Sequence, residues 1–199
     1  MNFSRPAARP LTARLPVLLL ALALSAAPAG VSARIVYGSL QAGLSIPAQG
    51  NRLNDRFDRG FGLGGGAVFV LGEEVNMIVQ IEYHSLRNAG LPPLADRGSL
   101  RAAMLTTMFR YMFGQDLDPW RPFLGLGFGT ADLSLAKEGD TYTEWDGDDL
   151  HGVFHVGAGL QVRVLDRFWI IAQARWMTIS SPGGGDASTL YPISLGLEF

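Results

Sequence analysis

The sequence predicts an all-β protein, an eight-stranded antiparallel up-and-down transmembrane β-barrel. Three observations support this fold class. Apolar and polar side chains alternate over eight segments, the breaks between segments alternate between short and long, and aromatic residues recur near the segment ends. Since successive side chains of a strand point to opposite faces, each segment has one apolar face and one polar face.

The breaks predict the connectivity of the strands. The predicted strands span residues 35–46, 61–71, 77–87, 99–113, 122–136, 151–165, 168–180 and 189–199. The breaks after the second, fourth and sixth strands are short, whereas the others are longer and rich in Gly, Pro, Asp and Arg. This alternation is typical of a barrel with tight turns at one end and longer loops at the other.

The first, third and fourth strands show both faces clearly. Their apolar faces carry Gly38, Leu40, Ala42, Leu44 and Ile46, then Met77, Val79, Ile81 and Tyr83, then Phe109, Tyr111 and Phe113. Their polar faces carry Tyr37, Ser39, Gln41 and Ser45, then Gln80, Glu82 and His84, then Thr106, Met108, Arg110 and Met112. Each of these strands can therefore separate two different environments.

The later strands follow the same rule. In the sixth strand, the apolar face carries Phe154, Val156, Ala158, Leu160, Val162 and Val164. The opposite face carries His151, His155, Gly157, Gly159, Gln161 and Arg163. In the eighth strand, the alternate large residues are Tyr191, Ile193, Leu195, Leu197 and Phe199.

The size of the side chains predicts which face is outside. A soluble eight-stranded barrel of the lipocalin type would turn its apolar face inward. Here the polar face combines Gln, Glu, His and Arg with many glycines, which suits a narrow lumen, while the bulk lies on the apolar face. Aromatic residues also fall at both ends of the strands, as the two girdles of a membrane barrel do. We therefore favour the transmembrane barrel.

The N-terminus has the pattern of a secretory signal peptide. Arg5, Arg9 and Arg14 precede or flank the apolar run 15–24, and Val31-Ser32-Ala33 fits a cleavage site with small residues. The apolar run is shorter than the roughly 20 residues of a membrane-spanning helix. We expect residues 1–33 to be the signal peptide and residues 34–199 to be the barrel.

Charge and cysteine content exclude several classes of function. Without the three arginines of the signal peptide, 13 basic residues remain against 18 acidic ones, a net charge of −5. This balance does not predict a nucleic-acid partner. The chain has no cysteine, and therefore neither a disulfide nor a thiolate metal site.

Several motifs resemble the OmpA-like and opacity-type outer-membrane β-barrel superfamily. The segment 121–129, RPFLGLGFG, is similar to its Pro-aromatic-x-Gly-x-Gly-x-Gly strand, and 157–160 with 174–176 is similar to its next hairpin. The resemblance implies location in the outer membrane of a Gram-negative envelope. It also implies that Phe199 and the apolar face of the eighth strand form the assembly signal read by the barrel-assembly machinery.

The lumen is the first candidate site. An eight-stranded barrel is just wide enough to be filled by side chains, and charges inside it must be paired. We expect Arg110, Arg163 and Glu198 near the short-turn end, and Glu82 and Arg175 nearer the middle. The residues expected to point inward are Glu82, His84, Arg110, His155, Gln161, Arg163, Gln173, Arg175 and Glu198. A locked polar core is favoured over a gated conduit.

A second candidate lies at His84 and Ser85. The segment 83–91, YHSLRNAGL, faintly resembles the His-x-Ser-Asn-Ala-Gly motif of PagL-type lipid A deacylases, in which a His activates a Ser. Here Ser85 directly follows His84, so the two side chains of a strand point to opposite faces. Two residues are also inserted before Asn88. We therefore expect no catalytic residue, with His84 and Ser85 as the weak exception.

Two other patterns predict little chemistry. The loop 137–150 carries six carboxylates, which could bind Ca²⁺, but their spacing does not match an EF-hand. The segment 60–65 reads GxGxxG, yet a dinucleotide site needs a preceding strand and a following helix. We expect a solvated loop, a glycine-rich stretch of barrel wall, and neither a cofactor nor a metal.

The sequence thus predicts a non-enzymatic, monomeric barrel with a structural, envelope-integrity or surface-interaction role. Its expected partners are outer-membrane lipids and lipopolysaccharide. Two alternatives stay open, a PagL-like lipid A-modifying enzyme and a carrier of small hydrophobic molecules. Met104 and Met108, on the inward face of the fourth strand, are compatible with an apolar lumen for such a carrier.

Removal of Phe199 tests the predicted assembly signal. We expect the amount of folded protein in the outer membrane to fall, because the terminal aromatic residue of the closing strand is lost. The measurement is a blot of outer-membrane fractions, with Phe199→Tyr as the conservative control. An unchanged amount would argue against the signal.

Overall fold

Eight antiparallel strands follow one another around a closed barrel, and the last strand pairs with the first. The computed structural model describes residues 36–48, 57–88, 99–115, 118–136, 150–180 and 187–199. The strands are β1 (Val36–Pro47), β2 (Phe57–Val70), β3 (Val75–Asn88), β4 (Ser99–Met112), β5 (Trp120–Ala136), β6 (His151–Leu165), β7 (Phe168–Ile179) and β8 (Ser188–Glu198). In these described ranges, no helix has the length and apolarity needed to cross a membrane. The predicted eight-stranded fold is confirmed.

Some predictions fall on parts of the chain outside the described residues. They include the signal peptide at 1–33 and nearly all of the acidic loop at 137–150. The short connections between β2 and β3 and between β6 and β7 are described in full, and the one between β4 and β5 is described except for residues 116–117. In the β4–β5 connection, Gly114 has a φ of 91°, a backbone angle that residues with a Cβ rarely adopt.

Strand β2 begins four residues earlier than the sequence pattern predicted. The β2–β3 register shifts between Asp58 and Gly60, so that Arg59 is the extra residue of a β-bulge. The charged residues of this bulge break the alternation and conceal the strand in the sequence. The GxGxxG segment therefore lies inside a paired strand, with β3 running beside it along its whole length.

The chain closes through the β1–β8 pair. The register runs from Ser39 opposite Glu198 to Pro47 opposite Leu190. Beyond it, the N–H of Gly38 donates to the carbonyl of Phe199 at 2.7 Å, and the N–H of Phe199 donates back at 3.0 Å. Because unpaired backbone groups are costly in hydrocarbon, closure of this kind is what allows a sheet to cross a membrane.

One interval of the wall has fewer ladder pairs. The paired residues of β7 and β8 stop at Ala174 opposite Ile193 and resume, in the same register, at Met177 opposite Leu190. Pro192 lies in this interval and has no N–H to donate. The pairing of β8 with β1 continues past Pro192 without a gap.

The two faces of the sheet have the predicted environments. Large apolar side chains cover the outside, and Leu195 is the most exposed of them at 64%. Aromatic pairs lie near both rims of this surface. Phe168 stacks on Phe199 at the short-turn end, while Phe154 meets Trp176 edge to face at the long-loop end. The apolar band between the rims has the form of a surface solvated by lipid.

A charge on this band should oppose insertion. Leu195→Arg is expected to lower the folded fraction in vesicles, because a lipid-facing Arg near the midplane costs about 2–4 kcal/mol. The measurement is folding yield into phosphatidylcholine vesicles, with Leu195→Ala as the matched control. A yield equal to that of the alanine variant would contradict the assignment of faces.

Candidate functional site in the barrel lumen

A buried ion pair joins opposite sides of the barrel. Glu82 on β3 and Arg175 on β7 both point inward and are almost completely buried. Arg175 Nη1 donates to Glu82 Oε1 at 2.8 Å, and Nη2 donates to Oε2. This bidentate geometry matches the planar guanidinium to the carboxylate and fixes the two groups relative to each other.

Further donors complete the shell of Glu82. Gln80 Nε2 and Thr106 Oγ1 both donate to Oε1, at 2.5 and 2.8 Å. His84 Nε2 lies 3.3 Å from Oε2. A buried carboxylate is tolerable only when its charge and its lone pairs are satisfied, and here both conditions are met.

Ser45 extends this arrangement to β1. Its Oγ lies 2.7 Å from His84 Nδ1, so Ser45, His84 and Glu82 form a continuous row. The same residue types provide a nucleophile, a base and an orienting acid in hydrolases. The carboxylate here is already held by Arg175. A cavity beside Ser45 and His84 measures about 10 Å³, which is space for about one water molecule and not for a substrate.

The structure does not bring His84 and Ser85 together. His84 is buried in the lumen, whereas Ser85 lies on the outer face. In the strand register, Ser85 is opposite Phe61 on one side and Arg101 on the other. The partner that His84 finds is Ser45, which is 39 residues away in sequence.

A row of amides links four strands next to the ion pair. Gln173 Nε2 and Ser194 Oγ both donate to Gln41 Oε1, the latter at 3.1 Å. Gln41 Nε2 in turn donates to Gln80 Oε1 at 3.2 Å. The sequence placed Gln41, Ser45, Gln80 and Thr106 on polar faces but gave no reason to select them, because a polar face does not show which residues meet across the lumen.

A second ion pair lies toward the short-turn end. Arg110 Nη1 is 2.8 Å from Glu198 Oε1, and both side chains are at most 1% exposed. Gln161 Nε2 donates to the other carboxylate oxygen at 2.8 Å. The Arg110 guanidinium also lies over the Phe123 ring, 5.1 Å from its centroid. This pair joins β4 to β8 in the way that Glu82 and Arg175 join β3 to β7.

The remaining two residues of the predicted network are Arg163 and His155. The Arg163 guanidinium lies 4.6 Å from the centroid of the Trp169 ring. His155 is fully buried, and among the described residues neither ring nitrogen has a hydrogen-bond partner. A Cβ at Gly127 would lie 2.3 Å from this imidazole, so the glycine provides the space that the ring occupies.

Apolar layers lie on both sides of the central polar layer. The larger cluster, which includes Phe57, Leu86 and Met104, fills the lumen toward the long loops. The other cluster includes Val68, Met108 and Phe123, and fills the lumen toward the short turns. Met104 and Met108 are therefore buried in the lumen, each within an apolar cluster. Within the residues described, no three His, Asp or Glu side chains are grouped so as to hold a metal ion.

These features define a small transmembrane β-barrel of the bacterial outer membrane. The family described as "Outer membrane protein beta-barrel domain" matches residues 16–199, and the chain belongs to this family. The comparison with curated protein sequences gives no significant match. The protein is therefore located in the outer membrane, in contact with its lipids and lipopolysaccharide.

Solved structures share the fold at low sequence identity. Neisserial surface protein A is 16% identical, with a TM-score of 0.57 over 82% of this chain and 95% of its own. OprG of Pseudomonas aeruginosa is 13% identical, with a TM-score of 0.50 over the same shares. The outer membrane enzyme PagL is 15% identical, with a TM-score of 0.46 over 81% of this chain and 98% of its own.

The central ion pair should behave as a unit. Glu82→Ala is expected to lower the free energy of unfolding by about 3–5 kcal/mol, because it leaves the Arg175 charge buried and unpaired. The double variant Glu82→Leu with Arg175→Met should lose much less. Urea unfolding in vesicles measures both effects. A loss of unfolding free energy in the double variant as large as that of Glu82→Ala would show that the two charges are not coupled.

Proposed function

We propose that the protein is a non-catalytic barrel that supports envelope integrity and presents its long loops to the cell surroundings. The observation that carries this proposal is the layered, filled lumen. Fully buried side chains from both ends and from the centre cross it, among them Met104, Glu82, Arg110 and Phe123. Such a barrel is a rigid membrane anchor for whatever its loops contact.

The alternatives find less support in the geometry. A lipid A-modifying enzyme needs a nucleophile beside the lipid, but His84 and Ser85 lie on opposite sides of the wall, and Ser45 lies inside it. A carrier for hydrophobic molecules needs an apolar space, but the two methionines pack within apolar clusters. A conduit needs mobile polar groups, but the buried carboxylates of Glu82 and Glu198 are each held by an arginine.

Assembly and oligomeric state belong to the same proposal. The outward face of β8, with Ile193, Leu195 and Leu197, ends at Phe199, and all four side chains are about half exposed. We propose that the barrel-assembly machinery reads this face before β8 closes on β1. Once closed, the barrel pairs all its strands within one chain and needs no second copy.

Permeability tests the proposed role directly. Cells without the protein should take up more of an apolar dye than cells with it, and the purified protein in planar bilayers should conduct no more than bilayers without protein. A general porin at equal density is the positive control for conductance. Steady single-channel conductance, or dye uptake that does not depend on the protein, would contradict the proposal.

Mass spectrometry of lipid A separates this role from the enzymatic alternative. The acyl-chain composition should be the same in cells with the wild type, with a His84→Ala variant and with no protein, because the lumen has no substrate space beside His84. Blots should show equal amounts of the two proteins. Loss or gain of an acyl chain that depends on His84 would make the protein an enzyme.

A further inference from the structure

Three arginines lie side by side on the outer surface at the long-loop end. Arg59 on β2, Arg87 on β3 and Arg101 on β4 are all exposed, and Arg87 and Arg101 lie on the outward face. In the register, Arg87 is opposite Asp58, with Arg59 as the extra residue of the bulge. Arg101 is opposite Ser85, two residues from Arg87 on the same face.

This spacing brings three positive charges close together. Adjacent strands lie about 4.8 Å apart, and diagonal neighbours on one face about 7–8 Å apart. Like charges at such positions repel each other unless an anion lies between them. In the described part of the chain, no ion pair involves any of the three guanidinium groups.

Two carboxylates lie near this cluster but do not balance it. Asp58 Oδ1 accepts the backbone N–H of Arg59 at 2.8 Å, which holds the bulge. Asp132 is on the outer face of β5, opposite Ala103. The five charged groups therefore keep a net positive charge on a surface that faces the membrane boundary.

A shallow, open apolar groove on the outer wall lies across β8, β1, β2 and β3, below the arginines of β2 and β3. Its volume is about 580 Å³, and its small outward residues are Ala42 and Gly65. Leu40 and Ile81 stand on either side of Gly65, as its partners in the register. A Cβ at Gly65 would lie 3.0 Å from the Leu40 side chain, so a larger residue at this position must displace Leu40 and change the groove.

The distance between the groove and the arginines matches the distance between the hydrocarbon and headgroup regions of a membrane. Leu63 and Tyr83 line the groove, and Arg59 and Arg87 lie four residues further along the same two strands. Four residues span roughly 13 Å of strand, or about 10 Å along the membrane normal at the tilt usual for such barrels. When the groove lies in hydrocarbon, the arginines therefore lie among the headgroups.

We propose that these two features form one binding site for a phosphorylated, acylated glycolipid of the outer leaflet, namely lipopolysaccharide. An acyl chain fills the groove over Gly65, and a phosphate binds Arg59, Arg87 and Arg101. Arginine is suited to this ligand because its planar guanidinium binds phosphate in a bidentate manner. The proposal needs only the outer-membrane location and is independent of the proposed role in envelope integrity.

Native mass spectrometry of the full mature barrel in detergent tests the site, with bisphosphorylated lipid A as the probe. The triple variant Arg59→Gln, Arg87→Gln, Arg101→Gln should bind about a hundred-fold more weakly, since each basic residue near a lipid surface contributes about five-fold. Gly65→Leu should also weaken binding by filling the groove. Arg167→Gln, in the exposed β6–β7 turn at the opposite end, should bind as the wild type does.

Three further arms identify the ligand. Lipid A without phosphates should bind the wild type weakly, with the affinity that bisphosphorylated lipid A has for the triple variant. Inorganic phosphate should not compete with lipid A for the wild type. Equal retention of phosphatidylglycerol would overturn the assignment to the glycolipid. Equal lipid A binding by the wild type and the triple variant, with both shown to be folded by circular dichroism, would overturn the site itself.

Discussion

The need to pair every backbone amide inside a bilayer is the constraint on which this structure depends. A helix meets it within one segment, whereas a sheet can meet it only by closing on itself. The Gly38–Phe199 hydrogen bonds at the end of the β1–β8 pair complete that closure. The outer surface then needs only apolar side chains, and the inner surface must be filled by the few residues that fit.

Filling a narrow lumen explains the unusual composition of the inner face. Glycines at positions such as 127 make room for large polar rings and guanidinium groups on neighbouring strands. Two arginines that enter the lumen are paired with carboxylates across the barrel, and glutamine amides link neighbouring strands beside the central pair. The lumen is packed with buried side chains as the core of a soluble protein is, and the Glu82–Arg175 pair lies between its two apolar clusters.

The sequence was sufficient to predict the strands and their faces, because alternation is a local property. It also predicted that Glu82 and Arg175 point inward, but not that they meet, since pairing across the lumen depends on the heights of strands far apart in the chain. The Ser45–His84 contact was not predicted, for the same reason. The predicted start of β2 at residue 61 was wrong because the bulge at Arg59 breaks the alternation.

Arg175 lies in the interval around Pro192 where β7 and β8 have no paired residues, so the Glu82–Arg175 pair has a structural role in the wall. The ladder between β7 and β8 lacks pairs at Arg175 and at the following residue, so the backbone of β7 is held only from the β6 side there. The Arg175 side chain reaches across the lumen to β3 from this same position. Glu82 therefore fixes the position of β7 where the backbone ladder to β8 does not, so side chains inside the barrel help to hold its wall together.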